Sequence, residues 1–345
     1  MIHPGALGDV LLALPAMRRL RARYPGHRLA LWANGSVAHF LSECRVVDDW
    51  IPLEGRNGLE LFGCSASTTR DLTDRLERCD LAVAWMRDEA GAVAAALQGA
   101  GARVALVESP FSLRLRRRHQ SDRFLEVLSE PESDASEHLP LTLPDHLCRL
   151  GIACLEGRGI GSDRPLVLVH PGSGSRHKCV NPEVLVPVLT RLLEEGFHPV
   201  ILEGPADRDA VSGLLRHCFV GPTILRELDL STVAAVLSCV QLFIGQDSGV
   251  THLSALLGVP TVALFGPTDP DRWVPRGRSV TVVRGASCAC RSWEAVSRCP
   301  DKPCLRPAAA EILSACLMQA RGGATPRNPS RSALSPPTPY AKVAS

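Results

Sequence analysis

At 345 residues the chain is long for one hydrophobic core and comfortable for two domains. A hydrophobic fraction of 45%, 21% charged residues and a formal net charge of +2 leave no global field aimed at nucleic acid or a strongly acidic partner. Aromatic residues at 4% argue against base-stacking platforms, and no apolar run approaches the ~20 residues needed to span a bilayer. Thirteen cysteines are scattered through apolar segments, and the first residues lack the basic and apolar regions of an export signal. Buried free thiols in a reducing compartment, the cytoplasm, are therefore expected.

In chain order, the first feature is His3-Pro-Gly-Ala-Leu-Gly-Asp9, a loop ahead of a helix from Asp9 to about Arg23 with Val10, Leu14, Met17 and Leu20 at helical spacing. Its two glycines permit close approach of backbone to a ligand and put Asp9 at the mouth of the helix. There a carboxylate can serve as a general base or simply cap the helix. Only Met1 and Ile2 precede the loop, so the strand that should feed it is nearly missing: either it is truncated or the true start lies upstream. Strands follow at 28–32, 81–85 and 103–107, with helices at 37–41 and 90–100. The basic run Arg114, Arg116, Arg117 and Arg118 is either a solvated face or a meeting point for acceptor carboxylates, phosphates or anionic headgroups. Residues 129–162 are polar, with one weak helix at 147–154, and read as the interdomain region.

A second alternation begins with a strand at 165–170 that delivers His170-Pro-Gly-Ser-Gly-Ser-Arg-His-Lys178. Ser173, Ser175 and Lys178 offer donors on this flexible loop, and a lysine there would neutralise a leaving diphosphate, unless it is only a solvated loop cation. A helix at 182–196, a strand at 199–202 and helices at 206–218 and 232–238 come next. Asp207 stands at the strand-to-helix turn, where an acid can accept from ribose hydroxyls, cap the helix, or do both. The most informative segment runs from Leu242 to Pro270: strand, the cluster Asp247-Ser-Gly-Val-Thr-His252, helix, strand, Gly266-Pro267. Free N–H groups at Ser248, Gly249, Val250 and Thr251 suit a diphosphate, and Gly249 admits it closely; a bare cap would not ask for Gly249 and His252 as well. Cys288, Cys290, Cys299 and Cys304 depart from paired C-x-x-C metal spacing and are read as a reduced structural cluster. No G-x-G-x-x-G fingerprint is present, which disfavours a dinucleotide oxidoreductase. The chain from Arg321 is expected to be disordered.

This combination resembles glycosyltransferase family 9, the ADP-heptose:lipopolysaccharide heptosyltransferases. Four matches carry it, in the family's order: Gly5-Ala-Leu-Gly-Asp9 with Leu14-Pro15, His170-Pro-Gly-Ser with Lys178, Gly204-Pro-Ala-Asp207, and Asp247-Ser-Gly-Val-Thr-His252 with Phe265-Gly-Pro-Thr-Asp-Pro270. The resemblance implies an α/β GT-B fold: a Rossmann-like acceptor domain over 1–155 facing a Rossmann-like nucleotide-sugar domain over 156–320, with a tail at 321–345. It implies an inverting transfer, independent of metal and cofactor, from ADP-heptose or another nucleotide sugar to a lipopolysaccharide core or other anionic glycan. Asp9 looks like the base, Lys178 like the diphosphate holder, Asp247 like the acid near the donor sugar. Gly249, Val250 and His252 resemble the diphosphate lining, with Ser173, Ser175, Ser248 and Thr251 on the same loops and Asp207 near the nucleotide. Gly8, Arg114, Arg116 and Arg117 are the acceptor-side candidates, and a lipid-linked acceptor would bring the chain to the inner face of the membrane. Two departures stand out. After Lys178 the family tends to have Trp-Pro, whereas here Val180-Asn181 stand before Pro182, and Gln246 precedes Asp247 where a small or apolar residue is usual. A different sugar, a protein acceptor, or a non-catalytic relative are the competing readings.

Overall fold

The computed structural model describes residues 1–54, 76–111, 118–129, 140–161, 163–217, 222–287, 289–290 and 292–322. Two parallel sheets, each flanked by helices, organise these residues. In the N-terminal half, helices α1 (Leu7–Leu12) and α2 (Leu14–Arg23) precede strand β1 (Ala30–Ala33), helix α3 (Gly35–Glu43) and strand β2 (Asp49–Pro52). Strand β3 (Leu81–Ala84), helix α4 (Ala92–Gly99), strand β4 (Val104–Val107), helix α5 (Gln120–Glu126) and helix α6 (Asp145–Glu156) follow. β1 pairs with β2 and β3 with β4, all parallel.

The residues ahead of the Pro4 loop pair on both sides. Ile2 bridges Trp32 on one side and Ala84 on the other, so it fills the slot between β1 and β3 and joins the two strand pairs into one sheet. The N–H of Ile2 donates to the Val83 carbonyl at 2.8 Å, that of His3 to Trp32 at 2.8 Å, and that of Trp85 to Ile2 at 3.1 Å. Met1 to His3 thus pair backbone groups of both neighbouring strands.

The C-terminal half carries a six-stranded sheet in the order β10-β9-β8-β5-β6-β7, parallel throughout. Its elements are β5 (Leu166–His170), α7 (Pro182–Glu194), β6 (His198–Glu203), α8 (Arg208–Leu215), β7 (Thr223–Arg226) and α9 (Leu230–Leu237). Then come β8 (Leu242–Gln246), α10 (Gly249–Leu256), β9 (Thr261–Phe265), α11 (Pro270–Trp273), β10 (Val280–Arg284), α12 (Trp293–Arg298) and α13 (Ala309–Gly322). β5, β8 and β9 are buried along their whole length, as strands covered by helices on both faces must be. The edge strands β7 and β10 and the helices α5 and α13 were not expected from the sequence, because their apolar residues are too few or too interrupted to show a period. Arg321 and Gly322, read as the start of a disordered tail, close α13 instead.

One hydrophobic core runs through both halves, joining Val10, Leu14, Phe40 and Phe124 to Leu168, Phe243 and Leu253. The halves meet most closely where α1 faces α10. A Cβ added at Gly249 would lie 2.8 Å from the Leu7 Cβ and 2.9 Å from the Gly8 nitrogen; one added at Gly8 would lie 3.3 Å from His252. The two helix starts touch through glycines because no side chain fits between them. Gly249→Ala is therefore expected to destabilise the fold by about 2 kcal/mol through overpacking, read as a lower denaturant midpoint. A midpoint equal to that of the parent chain would show that the α1–α10 contact can relax.

Candidate functional site

Three loops from the C-terminal sheet and one from the N-terminal sheet converge on the α1–α10 contact, at the carboxyl ends of the parallel strands where ligands of such sheets bind. Asp9 lies in the first turn of α1, three residues after its N-cap Ala6, and is half-buried. It does not occupy the cap position itself. Burial raises its carboxyl above the ordinary 3.8; the Ala6 N–H, Lys178 and Arg272 pull it down less, and Asp247 pushes it up. A carboxylate poised in this way can take a proton. Beside it, His3 is buried against Trp85 and Phe124, with ring centroids 5.8 and 5.1 Å away. Burial lowers its imidazole to about 4, and its Nδ1 accepts the Gly5 N–H at 3.1 Å. An open cavity of about 610 Å³ adjoins this loop, lined by Pro4, Gly5, Leu7, Asn34, Val37 and Glu54 among others.

Opposite Asp9, the Lys178 Nζ stands 2.9 Å from Asp247 Oδ2. Lys178 ends a one-turn 3-10 helix, Arg176–Lys178, capped by Ser175, whose hydroxyl oxygen accepts the His177 N–H at 3.3 Å. The buried hydroxyl of Ser173 donates to the Asp247 carbonyl at 2.7 Å, so its proton is engaged in holding the two loops together. Gln246 adds a second tie: its Oε1 accepts the Val180 N–H at 3.1 Å, and its buried Nε2 has no partner. The two departures from the family pattern thus touch each other.

Behind these loops lies a buried polar chain. The Asp207 Oδ2 is 2.8 Å from His170 Nε2 and accepts the Gly204 N–H at 2.8 Å. Burial alone would raise the Asp207 carboxyl, but the hydrogen bond and charge of His170 and the Gly204 amide hold it below the ordinary value. Asp207 makes no side-chain cap on α8, against one of the two readings of the sequence, and a Cβ at Gly172 would sit 1.8 Å from its Oδ1. The glycine loop is packed directly on that carboxylate. Ser248 is the N-cap residue of α10 but caps nothing with its side chain. Its Oγ lies 3.3 Å from His170 Nδ1 and 3.2 Å from Thr251 Oγ1, while Thr251 donates to the Gln246 carbonyl. His252 is buried under Gly8, and burial lowers it to about 4, with Asp247 acting upward and Lys178 downward. Gly249 and Val250 stay at the half-exposed start of α10.

Some sequence candidates fall elsewhere. Arg114, Arg116, Arg117 and Cys288 lie outside the described residues. Cys304 is buried, while Cys290 and Cys299 are half-buried. Arg272 was missed. Its charge acts on Asp9, and its Nε and Nη2 donate to Gln120 Oε1 at 3.1 and 3.0 Å across the two halves. Arg276 does the same with His119 at 3.1 Å and Asp122 at 3.2 Å. The only hint was position: Arg272 follows the Phe265-to-Pro270 block by two residues.

Two facing α/β domains with a carboxylate on one side and a lysine, an acid and a helix start on the other define the GT-B architecture. The chain belongs to glycosyltransferase family 9 (heptosyltransferase), whose model matches residues 118–300. It is 28% identical over 125 residues to lipopolysaccharide heptosyltransferase 3 of Escherichia coli, covering 35% of this chain and 36% of that protein. Over 89 residues it is 35% identical to lipopolysaccharide heptosyltransferase 1 of Pseudomonas aeruginosa, covering 26% of this chain and 25% of that one. These matches therefore span about a third or less of the curated relatives' length. Among solved structures, a family 9 glycosyltransferase from Veillonella parvula superimposes with a TM-score of 0.77 at 19% identity, covering 93% of this chain and 97% of that one. ADP-heptose lipopolysaccharide heptosyltransferase II of Escherichia coli gives 0.70 at 18% identity, over 93% and 98%.

The raised Asp9 carboxyl sets a testable sign. Ionising it costs more in the folded chain than in the unfolded one, so stability falls as pH rises from 3.8 through the raised value. Asp9→Asn is expected to leave stability unchanged below that window and to raise it above, checked by denaturation midpoints from pH 3 to 7. A constant difference across the range would mean that the carboxyl is not raised.

Proposed function

We propose that this chain transfers heptose, or a related sugar, from an ADP-linked donor to a hydroxyl of a lipopolysaccharide core or similar anionic glycan, with inversion and without a metal. The observation that carries this reading is the opposition of Asp9 to the Lys178–Asp247 pair at the start of α10. Transfer requires an acceptor oxygen to lose a proton while a diphosphate gains charge. Asp9 takes the proton. The acceptor oxygen then bonds to the anomeric carbon from the face opposite the diphosphate, whose C–O bond breaks and whose electron pair leaves with the phosphate.

Lys178 and the first-turn N–H groups of α10 neutralise that charge where it develops, the work that a divalent ion does in other transferases. Asp247 holds the lysine in place and stands where a donor sugar would sit. The cavity beside Gly5 offers the acceptor a route to Asp9. Solved heptosyltransferases of similar fold, one named with ADP and one with ADP-D-β-D-heptose, lend the donor its identity by likeness. An acceptor carried on lipid would hold the chain at a membrane surface, and no helix among the described residues is long and apolar enough to cross one.

The test is thermal stabilisation by ADP, UDP and GDP in the parent chain and in Lys178→Ala. At ~100 times its dissociation constant a ligand adds ~2.7 kcal/mol, which shifts the midpoint visibly. Stabilisation by ADP alone, reduced in the variant, is the expected result. Stabilisation by UDP or GDP instead would discard the ADP-heptose donor, and none by any of the three would point to a non-catalytic relative.

A further inference from the structure

The cavity of about 610 Å³ beside Gly5 lies between the start of α1 and the start of α3, with the turn after β2 closing its side. Pro4, Leu7, Val37 and Leu53 give it apolar walls. Its polar side chains are Asn34 and Glu54, and Glu54 is the one charged residue among the described residues that line it. The carboxylate is held in place. Its Oε1 and Oε2 accept the Gly35 N–H at 3.1 and 3.0 Å, and Asn34 Nδ2 donates to Oε1. Asn34 is fixed in turn as the N-cap of α3, its Oδ1 accepting the Val37 N–H at 3.4 Å.

These contacts decide what the cavity can receive. The N–H groups of a helix start are where a phosphate or carboxylate would dock, and here the chain's own acid already takes that of Gly35. The partners of Glu54 are an amide and a backbone N–H, both neutral, so neither cancels its charge. An entering anion would therefore meet a like charge. A carboxylate accepts about four hydrogen bonds, and Oε2 has only the shared Gly35 proton, so it can take another. A sugar hydroxyl brings one.

We propose that Glu54 is the specificity-determining residue of the acceptor cavity: it accepts a hydroxyl of a neutral sugar and turns away a sugar that carries phosphate or carboxylate there. Asn34 is the positioning residue that holds it. The sugar presented to Asp9 is then uncharged, and the charges of an anionic glycan lie farther along it, outside the cavity. This assignment deepens, and rests on, the reading of the chain as a transferase whose acceptor enters beside Gly5.

Titration of the full chain with methyl α-D-mannopyranoside and with its 6-phosphate, followed by proton NMR, compares a neutral sugar with an anionic one and needs no donor. The parent chain should bind the neutral glycoside about tenfold more tightly than the phosphate ester. Glu54→Ala should weaken the neutral glycoside about tenfold, the loss of one charge-assisted hydrogen bond. Glu54→Gln keeps an acceptor oxygen and drops the charge; it should hold the neutral glycoside within about threefold and close the gap between the two probes. A preference of the parent chain for the phosphate ester, or binding of neither probe, would overturn the proposal. So would a lower melting midpoint in Glu54→Ala with glycoside binding unchanged, because Glu54 would then only cap α3. Stabilisation by ADP is read separately. Glycoside preference without it would uphold the role of Glu54 and count against the nucleotide-sugar reading; stabilisation without glycoside preference would do the reverse.

Discussion

The contact on which the site depends is the meeting of two helix starts, α1 and α10, through Gly8 and Gly249. Each start gathers unpaired N–H groups and the positive end of a helix, and two such ends repel when pressed together. The chain answers with carboxylates at both: Asp9 in the first turn of α1, and Asp247 just before α10. Those acids are the groups the chemistry needs, so the electrostatics of holding the halves together and those of the reaction are not separable. Lys178 enters as the counter-charge that allows the two acids to share a small, partly dry space.

Around this contact the two halves are joined in two different ways. An apolar core passes from Val10 and Leu14 to Phe243 and Leu253, and it resists sliding because its packing is close. Further out, Arg272 and Arg276 reach across to Gln120, His119 and Asp122 by hydrogen bonds. Burial and the nearby Arg276 lower the His119 ring to about 4, which leaves it neutral and able to accept from that arginine while its Nε2 faces the Val274 carbonyl at 2.8 Å. Such bonds fix direction more than they add stability. The same arginine that meets Gln120 also contributes its charge to Asp9, so the join and the site share a residue.

Much of this was legible beforehand because the relevant residues are local in sequence. The helix start at Gly249 and the glycine loop before Lys178 could be read from strand, glycine and polar run in order, since each is built within about ten residues. What could not be read was set by distant partners. Asp207 looked equally suited to ribose or to a cap, and only the placing of His170 on the next strand decided where its carboxylate turns. Ser248 could be placed at the helix start, but that its hydroxyl turns toward His170 and Thr251 is set by partners outside the local pattern. The slot filled by Ile2 escaped because a strand of one bridged residue has no period. Arg272 escaped because a lone arginine after a turn carries no pattern.

Gln246 and Val180 bear on how such sequences are compared. Taken one position at a time, each reads as erosion of the family's pattern. In space they are the two ends of one hydrogen bond that moors the Lys178 loop to β8. The donor, however, is the backbone N–H of residue 180, which every residue but proline carries, so only Gln246 brings a side chain to the fastening. An apolar residue at 246 would leave that buried N–H unpaired, whereas a new side chain at 180 would keep the bond. A comparison of side chains therefore sees one half of this mooring, and the half that substitution can remove lies wholly at position 246.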